Sequence, residues 1–495
     1  MTDPDSRLHS EKLTVARRRD LVRPERAVVD DLIVSEPVMG TPSMTVQEAA
    51  ALITERGQNY LLVPLGDRRH GLVTDADLRA RVVARGRDLG TAVGDLVTGD
   101  CPTVPSGTPA VDALTEILDR DQSVLPVVDA AGEVVGVVAA ADFVAAPSGS
   151  GMALRGQVSR AATVAVLQER ARRIPQVMAD LLRRGEPAHE IGTVVSLIND
   201  AVVRRALELV LAEHDELNPD ALTWLSLGSN ARREPVLTSD VDSAVSFDDA
   251  VADEEIADYR GAFAEVDDVL RGAGMTIDAN GAIASMPLFA RTHTQWRTAA
   301  RRWLAEPLEN KGMIFTSLLL DGRPIWGDPG LSAVAEVFGD LRSHPATLSL
   351  LLQEALADRA RLRSFRDVMS GRGGTFDIKQ HAVTPLVNIA RWAALSVEST
   401  VLETRSRLTA AAGSPMLPED HSATLVEVFD VLQRIRLTYQ VAQFDRGEKC
   451  TDLLEMKRLS PLDRSLVAQA VREIAGVQRR MGNLSHYLPI TEQSR

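Results

Sequence analysis

Near the start of this 495-residue chain a stretch of sequence is written twice. Asp31-Leu32-Ile33-Val34 returns as Asp95-Leu96-Val97, and Gln58 returns 64 residues later as Gln122. His70-Gly71-Leu72-Val73-Thr74-Asp75-Ala76-Asp77 returns as Val135-Gly136-Val137-Val138-Ala139-Ala140-Ala141-Asp142. Both copies predict the same order of elements. An amphipathic helix (46–56; 109–120) leads into a buried strand (60–64; 124–128), a turn, a second strand and a short helix opening near the Asp. A unit this small rarely buries enough surface to stand alone, so the copies are expected to pack together.

The doubled pattern, over residues 31–146, resembles a tandem of CBS domains, the adenosyl-nucleotide-sensing module. The resemblance implies a cleft for AMP, ADP or ATP lined by a Gly-h-h-Thr/Ser-x-x-Asp run. In it the hydroxyl and helix start meet phosphate, while the carboxylate accepts from ribose hydroxyls. The first copy matches through Gly71, Thr74 and Asp77; the second keeps Gly136 and Asp142 but has Ala139 where the hydroxyl belongs. One complete and one degraded site are therefore expected. The plainer alternative is that Thr74 and Asp77 only cap a helix, as both types do well. The resemblance also implies a homodimer formed through the pair.

A charged tail (1–30) precedes the repeat, and Pro147-Ser148-Gly149-Ser150-Gly151 marks a linker after it. Residues 159–184 and 191–214 then read as amphipathic connecting helices within a 147–215 connector, with Val194, Val195, Ile198, Val202 and Val203 on one stripe. The pairs Arg172-Arg173, Arg183-Arg184 and Arg204-Arg205 are expected on solvated faces rather than as a nucleic-acid patch.

The chemistry concentrates further on. A strand-like run, 221–227, enters Gly228-Ser229, passes Arg232-Arg233-Glu234 and reaches Asp240-Val241-Asp242 on a second strand, 241–247. Alternation along a strand puts Asp240 and Asp242 on one side, where the two carboxylates repel unless a cation lies between them. Gly228 admits close backbone approach to a phosphate, Ser229 offers a hydroxyl, and Arg232 and Arg233 offer guanidiniums. The bland alternative for the two Asp residues is a solvated turn or helix start.

This run resembles the nucleotidyltransferase domain related to the N-terminal part of PII-protein uridylyltransferase, whose signature is Gly-Ser-x-x-Arg-x-Glu-x-x-Leu-x-x-Asp-x-Asp-x-Ala. Gly228, Ser229, Arg232, Glu234, Leu237, Asp240, Asp242 and Ala244 fit it. The resemblance implies that Gly228 and Ser229 hold the triphosphate and that Asp240 and Asp242 bind magnesium or manganese with a third carboxylate. Residues 315–320 look strand-like and end in Asp321-Gly322-Arg323-Pro324, which makes Asp321 the first candidate for that carboxylate and Asp278 the second. The acceptor hydroxyl would sit on a PII-like protein or a small-molecule alcohol. Ala231, Val241, Ser243 and the 275–286 segment depart from the family pattern, which leaves a non-catalytic nucleotide sensor as the alternative to a transferase, and a purely structural adaptor as a third reading.

From Pro345 onward the pattern is helical (349–369, 385–396, 423–444 and 462–481), and residues 378–386 resemble the helical domain that follows this transferase. Lys379 and Arg391 are read as solvated charges more than phosphate ligands, His381 as a packing or capping residue, and Gly371-Arg372-Gly373-Gly374 as a helix–helix loop. The expected architecture is multidomain, α/β and α: tandem CBS domains (31–146), a mixed-sheet nucleotidyltransferase core (216–340) and an all-helical bundle (341–495). With 69 acidic and 55 basic residues the net charge is −14, which excludes an ordinary nucleic-acid binder. Cys101 and Cys450 alone make neither a disulfide framework nor a zinc site, and no run approaches the ~20 apolar residues of a membrane span. A cytoplasmic protein without membrane or nucleic-acid partners is expected.

Overall fold

The computed structural model describes residues 28–33, 36–66, 68–120, 122–140, 142–145, 149–278, 281–306, 308, 312–327, 344–362 and 374–485. Most of the charged tail, the start of the Pro-Ser-Gly linker and Gly371–Gly373 lie outside them. The chain divides into two compact units, 1–149 and 150–495. Among the described residues no helix is long and apolar enough to cross a membrane.

In the first unit each copy of the repeat folds as its pattern predicts. Helix α1 (Val46–Glu55) precedes the antiparallel pair β1 (Tyr60–Gly66) and β2 (Arg69–Thr74). In the second copy β3 (Val104–Pro105) and α2 (Ala110–Asp119) precede the antiparallel pair β4 (Val124–Val128) and β5 (Val134–Ala139). Thr45 starts α1 with a capping box completed by Glu48.

The copies interlock through their leading segments. Residues before the first copy serve the second: the Val29 N–H donates to the Thr108 carbonyl at 2.8 Å, and Asp30 accepts from the Ser106 hydroxyl and the Gly107 N–H. The equivalent glycines show the same exchange. A Cβ on Gly71 would meet Val97 at 2.3 Å, and one on Gly136 would meet Ile33 at 2.5 Å. Ile33 and Val97 are themselves equivalent in the repeat, so each copy is closed by a side chain from the leader of the other. Val124 and Val137 of the second copy lie in the core built by the first, as one shared core requires.

The second unit opens with α3 (Gly149–Ser159), α4 (Val164–Ala171), α5 (Ile174–Arg183) and α6 (Ala188–Leu211). The single helix expected over 159–184 is thus broken in two, α4 and α5, with α3 ending at Ser159. Thr163 caps α4, and Pro175, which lacks an N–H, sits in the first turn of α5. Arg204 and Arg205 are half-buried instead of solvated, and their Nε atoms donate to the carbonyls of Ile325 and Ala161.

A mixed four-stranded sheet follows. Its strands β6 (Leu222–Ser226), β8 (Ser243–Phe247), β10 (Ala290–Thr292) and β11 (Arg323–Trp326) lie in the order β10-β8-β6-β11. Strand β10 runs parallel to β8, and the other pairs are antiparallel. The strand expected over 241–247 is divided at Asp242. Its first part, β7 (Asp240–Val241), leaves the main sheet to pair in parallel with β9 (Thr276–Ile277). Trp224, Phe247, Tyr259 and Phe263 join one sheet face to α7 (Asp253–Gly272), with Trp224 and Phe263 edge-to-face at 5.2 Å. On α8 (His293–Ala305), the Trp296 indole donates to the Val245 carbonyl at 2.8 Å.

Residues 315–320, expected to be a strand, belong instead to helix α9 (Gly312–Leu319). A short run rich in apolar residues fits a buried strand or a buried helix equally well by periodicity. The remainder comprises α10 (Pro345–Ala357), β12 (Thr375–Asp377), α11 (Thr384–Ser396), α12 (Thr404–Ala410), α13 (Glu419–Asp445), β13 (Leu453–Glu455) and α14 (Pro461–Ser485). Helix α10 stops at Ala357, well short of residue 369. Gln478 of α14 accepts from the Ala360 N–H and donates to the carbonyls of Ala355 and Asp358, closing the helix end. One hydrophobic core runs from Leu225, Leu227 and Ala244 of the sheet through Trp296 and Trp303 to Leu386, Leu432 and Ile474 of the bundle.

Candidate functional site

In the second unit the Gly-Ser…Asp-x-Asp run folds back on itself. Gly228 has φ +60°, and a Cβ there would lie 2.1 Å from Asp242 Oδ2, so both the backbone angle and the space exclude any other residue. The Leu227 N–H donates to the Asp242 carbonyl at 3.0 Å, which fixes the strand end against the turn. Pairing of β7 with β9 brings Asp278 alongside, where its Oδ2 accepts from the Ala282 N–H at 2.8 Å.

Burial pushes the Asp242 carboxyl up to about 7, and repulsion from Asp278 and Asp240 adds to it against Arg232 and Lys379. Asp240 is raised chiefly by burial, with Lys379 opposing. Among the described residues neither carboxylate forms an ion pair within 4 Å, and no group of three or more His, Cys, Asp or Glu is gathered closely enough to hold a metal ion. The donor chemistry nevertheless suits a hard divalent cation. Magnesium is commonly held by one or two carboxylates and completed by water and substrate phosphates. A cleft of about 140 Å³ adjoins Asp240, walled by Ile174, Met178, Val195, Val236 and Met275.

The two motif arginines are committed to other carboxylates, contrary to the expectation that both meet phosphate. Arg232 binds Glu234 at 3.1 Å and Asp321 at 2.5 Å. Arg233, at φ +60°, lies 3.6 Å from Asp200, which is also held by Arg323 at 2.8 Å. Glu234 in turn accepts from the N–H and hydroxyl of Thr404.

Asp321 is placed differently from the metal-binding role expected of it. It is 1% exposed and saturated by three guanidiniums, those of Arg232, Arg391 (2.7 Å) and Arg407 (2.6 Å). Burial alone would raise its pKa, yet Arg391, Arg407 and Arg232 hold it well below the usual carboxylate range. Arg391, expected to be solvated, is therefore half of a buried ion pair. The segment before Asp321 is a helix and not a strand, so the chain enters this position from another direction than the expectation assumed.

The first unit has its own cleft, about 610 Å³, lined by Thr74, Asp77, Asn59, Arg79, Asp100 and Gln122 among others. Thr74 and Asp77 form a reciprocal capping box: the Thr74 N–H and hydroxyl donate to Asp77, and the Asp77 N–H donates back to the Thr74 hydroxyl. Arg81 pairs with the other Asp77 oxygen at 3.2 Å. Gly71 and Asp142 do not line this cleft. Gly71 is packed against Val97, and Asp142 accepts from the Ala139 N–H at 2.7 Å, a box with its hydroxyl missing.

Comparison with known proteins matches this division of the chain. Residues 29–84 and 93–149 match the CBS domain model. Residues 172–310 match "Putative nucleotidyltransferase DUF294", and 345–484 match "Putative nucleotidyltransferase substrate binding domain". The chain carries a CBS pair, a DUF294 domain and its C-terminal companion. The DUF294 match begins at residue 172, so helices α5 and α6, read from sequence as a connector, belong to it. Among curated proteins, the CBS domain-containing protein YhcV of Bacillus subtilis is 29% identical over 118 residues, 23% of this chain and 81% of that protein. Among solved structures, CBSX2 of Arabidopsis thaliana is 27% identical, covering 24% of this chain and 92% of its own, with a TM-score of 0.22. A CBS domain protein of Pyrobaculum aerophilum complexed with AMP is 22% identical, covering 24% and 90%, with a TM-score of 0.22.

Several residues of the second-unit site carried no local signal. Asp200, Thr404, Arg407 and Asp452 reach the DUF294 motif from distant parts of the chain, and only the partners they find in space, Thr238 of the motif among them, distinguish them from other buried polar residues.

Proposed function

We propose that the DUF294 domain transfers a nucleoside monophosphate from a nucleoside triphosphate to a hydroxyl acceptor, and that adenine nucleotide bound at the first CBS copy regulates it. The observation that carries this reading is the seating of Asp242 against Gly228, beside Asp240 and Asp278. Clustered, half-buried carboxylates beside a glycine turn are a poor scaffold device and a good receptor for a cation–triphosphate pair.

Asp240 and Asp242 would hold magnesium or manganese, completed by water and phosphate oxygens, with Asp278 in place of Asp321 as the neighbouring carboxylate. A bound ion supplies charge neutralisation at the phosphates and lowers the pKa of the acceptor hydroxyl. The turn at Gly228 and Ser229 brings backbone and hydroxyl to the triphosphate, and the buried arginines keep that turn rigid. By resemblance the acceptor is a PII-like protein, with a small-molecule alcohol as the other acceptor class. For the CBS cleft, Asp77 supplies the ribose-facing carboxylate and Thr74 the hydroxyl.

A nucleotide sensor without turnover is the second reading, and the commitment of both motif arginines to buried carboxylates favours it. Incubating the full-length protein with labelled nucleoside triphosphates, magnesium and cell extract separates the two. Transfer of label that is lost in Asp240→Ala/Asp242→Ala is the expected result. Equal failure of wild type and variant to label any acceptor, across all four nucleotides, overturns the transferase reading.

A further inference from the structure

A triphosphate brings several negative charges to a site whose nearest motif cations are already bound. Arg232 is spent on Glu234 and Asp321, and Arg233 on the Asp200 cluster. A cation for the phosphates must therefore come from outside the Gly-Ser…Asp-x-Asp segment. We propose that Lys379, from the C-terminal companion domain, binds the phosphate tail of the nucleotide against Asp240 and Asp242. This inference rests on the nucleotidyl-transfer reading above and names a phosphate-binding residue for it.

The geometry is a short relay between two distant parts of the chain. The Thr238 hydroxyl, two residues before Asp240, donates to Asp452 Oδ2 at 3.1 Å. Arg436 and Gln440 hold the same carboxylate, at 2.6 and 2.7 Å. The Asp452 carbonyl accepts from the Ile378 N–H at 3.0 Å, and Lys379 is the next residue. Lys379 opens a π-helical turn, Lys379–Val383, a form found in short pieces and often at functional sites. Its backbone is thus tied to the loop that carries Asp240, while its side chain is exposed.

The charge of Lys379 opposes the raised pKa values of Asp240 and Asp242 and helps to lower that of Asp452, while the side chain stays exposed and forms no ion pair with Asp240 or Asp242. A point charge on a flexible stem suits this task, since it can swing from the carboxylates to an arriving phosphate. Lys457, by contrast, pairs with Glu455 at 3.2 Å.

The scarcity of lysine makes a direct test practical, because the chain has only Lys12, Lys311, Lys379, Lys449 and Lys457. The full-length protein is labelled with an amine-reactive ester, with and without magnesium tripolyphosphate, and each lysine is read by peptide mass spectrometry. Lys379 should label at least about fivefold more slowly with the anion present, with Lys449 and Lys457 unchanged. In equilibrium dialysis Lys379→Ala should lose about tenfold in tripolyphosphate affinity and Lys379→Arg less than about threefold. Unchanged labelling of Lys379, while tripolyphosphate still binds in a manner abolished by Asp242→Asn, overturns this inference and leaves the transferase reading intact. Absence of any Asp242-dependent binding overturns both.

Discussion

The Asp242 carboxyl offers a sharp test of the site, because its environment works against its charge. Its pKa stands at about 7 where an ordinary Asp has 3.8, a difference of roughly three units, or about 4 kcal/mol between its two protonation states. Between those two values the folded protein keeps a proton that the unfolded chain has released. Stability therefore falls as pH rises from about 4 to about 7 and stays low above it. Asn at this position is uncharged throughout. In chelator, Asp242→Asn should match wild type at pH 4 and exceed it at pH 8 by up to about 4 kcal/mol, less whatever Asp240 absorbs by titrating with it.

The assay is thermal unfolding of the full-length protein, followed on the transition of the second unit, at a series of pH values with and without magnesium. At pH 8 the metal-free variant should melt several degrees higher than wild type. Magnesium that binds only the native wild-type site should then raise the wild-type midpoint and close the gap. A variant no more stable than wild type at pH 8, or a gap that persists unchanged at pH 4, would refute the claim that burial and the neighbouring carboxylates load this position with unfavourable charge.

Four other expectations follow from the contacts described above. Asp321→Ala removes the shared partner of three buried guanidiniums and should cost about 3–5 kcal/mol in denaturant titration; an unchanged midpoint would show the cluster to be incidental. Gly228→Ala forces a Cβ towards Asp242 Oδ2 at φ +60° and should abolish label transfer as well as lower the melting temperature, whereas retained transfer would show that the turn has room to relax. Thr74→Ala breaks the capping box and should cost the first unit about 1 kcal/mol. In calorimetry Asp77→Ala should abolish AMP binding while Asp142→Ala retains it, because only Asp77 lines the cleft.

Local pattern and spacing carried the first unit well. Helix and strand periodicity placed α1, α2, β1 and β4, and the equivalence of Ile33 with Val97 foreshadowed the exchange that closes both copies on Gly136 and Gly71. The Gly228–Asp242 contact was not legible: the glycine reads as room for a phosphate, and the structure sets the Asp242 carboxylate against it. What the pattern could not carry was the fate of charged residues. Arg232 beside a glycine turn looks like a phosphate ligand until Asp321, 89 positions on, is found against it. Asp321 looks like a strand-end metal ligand because its approach, Gly312–Leu319, is short and mostly apolar and gives no clear period to read. In each case the deciding partner came from a distant part of the chain.

The same long-range partners bear on how the site can work. The DUF294 match ends at residue 310 and its companion begins at 345, which suggests two modules free to hinge. The structure joins them on both counts that resist a hinge. Leu225 and Leu227 of the sheet share one apolar core with Leu386 and Leu432 of the bundle. The buried charges are also divided across the seam: Arg232, Glu234 and Asp321 lie on one side, Arg391, Thr404 and Arg407 on the other. Opening the seam would leave Asp321 buried without two of its three cations, at a cost comparable to the whole stability of an ordinary domain. Large closure around a nucleotide is therefore disfavoured between these two modules. The adjustments that remain inexpensive are those of exposed side chains at the edge of the seam. Lys379, fixed in backbone through Asp452 and Thr238 yet exposed in side chain, is placed to make them.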